Sequence, residues 1–123
     1  MPYGALIETP RFGVVSASPE QFLQTRGTTI RTRPIKGTVP RSGDPERDRQ
    51  AAEELRTSEK ERAELAMIID LERNDLGRIC EPGSVEVTQV TAIESYASVL
   101  HAVATIEGQL SGEPGPGAIL EAT

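Results

Sequence analysis

The chain has 123 residues, with 37% hydrophobic, 26% charged and 3% aromatic residues and a net charge of −6. That length permits one domain with a modest core, and the composition is that of a globular chain rather than a disordered one. The acidic balance argues against general nucleic-acid binding, which needs a basic surface to neutralise phosphates, and no apolar run approaches the roughly 20 residues that span a bilayer. Cys80 is the only cysteine, which excludes an internal disulfide and makes a reducing cytoplasm the expected setting. The first residues, Met1-Pro2-Tyr3-Gly4, carry neither a basic segment nor an apolar signal core.

Tyr3 to Glu8 and Phe12 to Ser16 flank Thr9-Pro10-Arg11 and predict a hairpin. Ser18-Pro19-Glu20 interrupts the strand pattern, because proline cannot donate to a sheet ladder. Thr28 to Arg33 alternates and is β-branched, so a further strand is expected there, running into a shaped turn at Pro34-Ile35-Lys36-Gly37-Thr38. Asp44-Pro45-Glu46 offers an N-cap, a proline at the first helical position and an acidic first turn, predicting a helix to Arg56. Ser58 with Glu61 three residues on is a capping box for a second helix. Its stretch from Leu65 to Leu71 is apolar nearly all round, the pattern of a buried helix, and Gly77 and Pro82 supply the stop. Ser84 to Ile93 and Ser98 to Leu110 are β-rich. The second also fits a helical stripe, but Val99, Val103, Thr105 and Ile106 favour a strand. After a Gly/Pro loop, Ala118 to Ala122 begins a helical pattern. Strands, then helices, then strands indicate an α+β arrangement, and a sequence that opens in a strand and closes in a helix is expected to be an internal fragment.

Four groups could carry chemistry. Lys36 sits in a proline–glycine turn. As a nucleophile it needs its free amine, favoured by desolvation or by neighbouring positive charge, which Arg31, Arg33 and Arg41 could supply. The alternatives are a solvated basic loop or a polycarboxylate site read by arginine forks. Glu61 and Glu64, three apart on a helix, share a face and suit a hard cation such as magnesium. Glu61 reads better as the capping partner of Ser58, whereas Glu64, which could pair with Lys60, borders the apolar run and keeps the metal reading open. The dense charges from Asp70 to Arg78 read as a solvated surface or a salt-bridge network at a helix end, with Asp70 needing a partner if buried, for which Arg73 or Arg78 could serve. His101, the only histidine, is either a satisfied core residue or a near-neutral proton-transfer group. Cys80 reads as a small buried filler.

The order and spacing of these segments resemble a known family. Ser18-Pro19-Glu20, Pro34-Ile35-Lys36-Gly37-Thr38, Ala63-Glu64, Asp70 through Arg78 and Val99-Leu100-His101 look like the successive motifs of chorismate-utilising enzymes, with intervals of 16, 28 and 37 residues between Glu20, Lys36, Glu64 and His101. That family includes anthranilate, aminodeoxychorismate, isochorismate and salicylate synthases. The resemblance covers nearly all of the chain but about half of the family's catalytic domain. It implies a partial chorismate-binding-enzyme fold over residues 1–123, with antiparallel strands packed on two helices and incomplete at both ends.

By the same resemblance Glu20 is the general acid that protonates the departing C4 hydroxyl of chorismate. Glu64 is one of two carboxylates holding Mg2+, His101 lies beside the ring, and Gly37 and Thr38 shape the substrate pocket. Lys36 is the discriminating position. The anthranilate branch typically carries alanine there and the aminodeoxychorismate branch lysine, which attacks C2 before ammonia adds at C4. The ammonia would come from a glutamine amidotransferase partner. Val39 stands where the family often has arginine, and Leu65 replaces a more usual asparagine or histidine. The second magnesium carboxylate and the glycine-rich carboxylate-binding segment have no counterpart before Thr123. The alternatives are anthranilate synthesis or, for these residues alone, a non-catalytic anion-binding or interaction domain built on Arg31, Arg33, Lys36 and Arg41. Self-association through unpaired strand edges is a further expectation.

Overall fold

In the computed structural model, residues 3–123 are described, and Met1 and Pro2 lie outside the described residues. Strands β1 (Tyr3–Glu8) and β2 (Gly13–Ser18) form the expected hairpin. Its turn is closed by Thr9, whose backbone N–H and hydroxyl both donate to the Phe12 carbonyl, at 2.9 and 2.8 Å. The main sheet begins with β3 (Gln21–Arg26), a strand not anticipated from the sequence. Gly27, at φ +59°, turns it back into β4 (Thr29–Arg33). Pro34 then separates β4 from β5 (Ile35–Pro40). The segment expected as a turn is therefore mostly strand. Proline has no N–H to give, but its carbonyl accepts from Ala104 at 3.1 Å, so the chain stays alongside its neighbour.

Two helices follow. Helix α1 (Pro45–Thr57) is capped by Asp44, whose carboxylate accepts from Glu46 and Arg47 N–H at 2.9 and 3.1 Å. Ser58 ends α1 and caps α2 (Glu59–Gly77), accepting from Glu61 N–H at 3.4 Å. Strands β6 (Glu86–Ser95) and β7 (Val99–Gln109) form a long antiparallel pair, and helix α3 (Pro116–Ala122) closes the chain. The ambiguous Ser98–Leu110 segment is thus a strand, and β7 is the spine of the sheet. It pairs with β6 along one side and with β4 and β5, end to end, along the other.

Side chains alternate across a strand, and β7 sorts its residues accordingly. Leu100 and Ala102 pack with Leu55 of α1, while Ala104 and Ile106 pack with Ile30 and with Leu65, Ile69 and Leu76 of α2. The opposite face carries His101, Val103, Thr105 and Glu107, whose polar members pair with neighbouring strands. Helix α2 buries one stripe only. Met67 is 65% exposed and Leu71 55%, so the apolar run read as buried all round has a solvent-facing side. Its Leu65 and Ile69 face the sheet, and residues two positions along point away from it.

Candidate functional site

The chain from Pro19 to Thr38 builds most of the site. Ser18 Oγ accepts from Glu20 N–H at 3.3 Å and donates to Glu20 O at 3.0 Å, a tight polar turn after the proline. Glu20 is thereby aimed at the start of β5, where its Oε1 accepts from Ile35 N–H at 2.6 Å. A cavity of about 290 Å³ opens beside it, lined among others by Glu20, Thr32, Lys36, Ile68 and Glu72. Lys36 reaches that cavity because its neighbour Ile35 pairs with Val103 and so occupies the other face, leaving Lys36 towards α2.

Gly37 then breaks the alternation. It has φ +81°, and a Cβ there would lie 2.6 Å from Leu55 Cδ1 and 2.9 Å from Glu61 Oε2. The ladder shifts register between Ile35 and Thr38, a bulge that returns Thr38 to the face of His101. Thr38 Oγ1 and His101 Nδ1 are hydrogen-bonded at 2.7 Å. On the far side of His101 stands its β6 partner Glu94, and the Tyr96 ring lies 5.4 Å from the imidazole, tilted by 59°.

The candidates therefore fall into two groups, one on each face of the sheet around β5 and β7. Lys36 and Glu20 share a cavity on the helix side; Thr38 and His101 are bonded to one another on the opposite face, with Gly37 as the hinge. Glu64 joins neither group. It is half-buried on α2, its Oε1 3.8 Å from Lys60 Nζ, and Glu61 is turned to the Gly37 backbone. Among the described residues no group of three or more His, Cys, Asp and Glu side chains is placed to hold a metal ion. The donors among the described residues do not by themselves complete a magnesium site.

The arginines have other occupations. Arg31 pairs with Glu107 at 2.5 Å, Arg41 with Asp48 at 2.9 Å, and Arg33 is ion-paired with Glu94. Each is neutralised by a carboxylate, which leaves Lys36 as the cationic side chain of the cavity. Glu72 belongs to the charges from Asp70 to Arg78, which by pattern alone read as structural, and it is not among the residues the sequence marks as site candidates. Burial pushes its carboxyl above the usual carboxylate range; Thr32 opposes this, and the charges of Asp75 and Glu20 add to it. The available signal was its spacing: Glu72 lies one turn beyond Ile68, on the stripe that begins at Glu61 and Leu65.

The model of a family described as chorismate binding enzyme matches residues 1–123. Aminodeoxychorismate synthase component 1 of Klebsiella aerogenes is 48% identical over 109 residues, covering 89% of this chain and 24% of that protein. An anthranilate synthase component 1 of Haloarcula marismortui is 49% identical over 109 residues, covering 89% of this chain and 22% of that protein. Among solved structures, anthranilate synthase component I from Streptococcus pneumoniae superposes with a TM-score of 0.81 at 33% identity, over 98% of this chain and 26% of that one. The chain thus spans about a quarter of the length of these relatives, and near-equal identity to two synthase types does not separate them. With the motif order read from the sequence, the layered antiparallel sheet and a match along its whole length, the chain belongs to the chorismate binding enzyme family.

Proposed function

We propose that this chain carries the lysine-and-carboxylate part of an aminodeoxychorismate synthase site, acting on chorismate and ammonia. The observation that supports it is the shared cavity of Lys36 and Glu20, with Glu20 oriented by the Ile35 N–H. A nucleophile and an acid that line one cavity are placed to act on two positions of one small ring. Lys36 Nζ bonds to C2 of chorismate as the C4–O bond breaks, the ring double bonds shift, and Glu20 gives its proton so that the hydroxyl leaves as water. Ammonia then bonds to C4, the double bonds shift back, and the C2–N bond to Lys36 breaks. The product retains its enolpyruvyl group, and the lysine is regenerated.

The designation component 1 among the relatives goes with a second component, and a glutamine amidotransferase is the class of partner that would deliver ammonia. Glu64 would give one carboxylate to a magnesium ion completed by residues outside this chain. A cytoplasmic setting accords with this reading.

The test exchanges the 109 aligned residues of the Klebsiella aerogenes relative for those of this chain and supplies chorismate, magnesium and ammonia. The expected product is 4-amino-4-deoxychorismate; anthranilate in its place would assign the sister activity. In that chimaera Glu20→Gln should slow turnover by on the order of 10²- to 10⁴-fold, the usual worth of a positioned acid. Lys36→Ala should remove the covalent route, and undiminished turnover in that variant would sink the nucleophile's role.

A further inference from the structure

The far face of β7 holds an arrangement that the lysine cavity does not use. His101 stands between two strands: Thr38 of β5 on one side and Glu94 of β6 on the other, each its direct cross-strand partner. Direct partners share a face and lie within side-chain reach. Glu94 is itself fixed from two directions. Tyr96 Oη donates to its Oε2 at 2.8 Å, and Arg33 Nη2 is ion-paired with its Oε1. Arg33 in turn is steadied by Thr105, whose Oγ1 accepts from Nε at 3.4 Å. The Tyr96 ring that carries this hydroxyl also flanks the imidazole, so the side chain that orients Glu94 packs against His101.

We infer that Glu94 is the positioning residue of His101: anchored by Arg33 and Tyr96, it holds the Tyr96 ring against one side of the imidazole while Thr38 holds Nδ1 from the other, which leaves Nε2 for a ligand. Among the described residues Nε2 has no hydrogen-bond partner, whereas Nδ1 is engaged at 2.7 Å. The arrangement gives the imidazole one defined orientation and leaves one ring nitrogen unengaged among the described residues, as a proton-transfer group requires. The surrounding charges are accounted for. Glu94 faces Arg33 from β4, Tyr96 from the β6–β7 turn and His101 from β7, and Tyr3 of β1 adds to the environment of Arg33 and Tyr96. Burial pushes the Glu94 carboxyl up, but Tyr96, Arg33 and His101 together hold it below the usual carboxylate range, so it stays ionised throughout the range in which a histidine titrates. A role for His101 at the chorismate ring rests on the function proposed above; the coupling between Glu94 and His101 does not.

The coupling can be read on the 123-residue chain without substrate, because its only histidine gives one set of imidazole signals. Long-range proton–nitrogen spectra report which ring nitrogen of His101 bears the proton, and the ring chemical shifts report how the imidazole is held. Glu94→Gln is expected to shift the His101 ring signals and to redistribute the single proton between the two nitrogens, since an amide loses the ion pair with Arg33 and loosens the Tyr96 ring that packs on the imidazole. Thr38→Val should redistribute the single proton between the two nitrogens. Tyr96→Phe keeps the ring against His101 and removes the hydroxyl that orients Glu94; a smaller change of the same sign as Glu94→Gln is expected. A folded Glu94→Gln chain with unchanged His101 signals overturns the proposal. Should that variant unfold, unchanged signals in Tyr96→Phe overturn it equally. In the chimaera, loss of the chorismate product with the His101 coupling intact would count against the proposed reaction and not against this pairing.

Discussion

Glu72 and Asp48 show what single carboxyls do to this chain, in opposite senses. Burial, with Asp75 and Glu20 nearby, holds the Glu72 carboxyl high despite Thr32. The folded chain keeps a proton there that the unfolded chain has lost, so stability falls as pH rises from about 4.5, the ordinary glutamate value, through the higher folded value. Glu72→Gln should therefore lose less stability than the parent between those limits, as urea midpoints would record; equal losses would contradict the burial. Asp48 is the reverse case. It accepts from Ser42 N–H at 2.7 Å, Arg41 Nε at 2.9 Å and Ser42 Oγ at 2.9 Å, and these bonds, that of the Ser42 backbone foremost, hold its carboxyl below the ordinary 3.8. Its contribution is present above that value and fades as pH falls through the lower folded one. Asp48→Asn should flatten the acid limb of the stability profile.

At the scale of the element, the decisive feature is the bulge in β5. Gly37→Ala would put a methyl into a left-handed backbone position and against Leu55 and Glu61, where strain of this kind costs on the order of 1–3 kcal/mol. The expected result is a lower denaturation midpoint together with loss of the Thr38–His101 bond, seen as a change in the single histidine's spectrum. An alanine chain with both unchanged would mean that the bulge does not set the placement of Thr38. Helix α2 offers a second measurement. Leu65 is 1% exposed beneath the sheet, and Leu65→Ala should cost about 2–5 kcal/mol, whereas Met67→Ala on the outer side should change stability little. The capping signals at Asp44 and Ser58 and the proline at the first position of α1 were legible because a cap is a contact between near neighbours in the chain. The solvent-facing side of α2 was not, since Leu65 to Leu71 looks uniformly apolar until a sheet is placed against one side of it.

Over the whole molecule, apolar surface is distributed unevenly. Strands β1 and β2 pair with each other and form a sheet separate from the main one, and Leu6, Phe12 and Val15 are 65%, 62% and 80% exposed. A two-stranded ribbon in water is marginal on its own, and exposed apolar strands with open edges favour association. The 123-residue chain is expected to self-associate as concentration rises, and Leu6→Lys with Val15→Lys should reduce that association on sizing columns. A parent chain monomeric at all concentrations would dispose of this expectation.

The sequence by itself determined the kinship and most of the elements, β3 and β5 excepted: caps, turn residues and β-branched runs act over a few residues, and the ordered motifs from Ser18-Pro19-Glu20 to Val99-Leu100-His101 lie along the chain. Which side chains meet was decided by tertiary structure alone. Facing in a strand is a matter of parity, and one extra residue at Gly37 inverts it. The register of β7 against its three neighbours therefore sends Lys36 towards the helices with Glu20 and Glu72, and Thr38 to His101 on the other side. Parity of that kind is fixed by hydrogen bonds between segments more than 60 residues apart, such as Thr38 and His101, and no local pattern carries it.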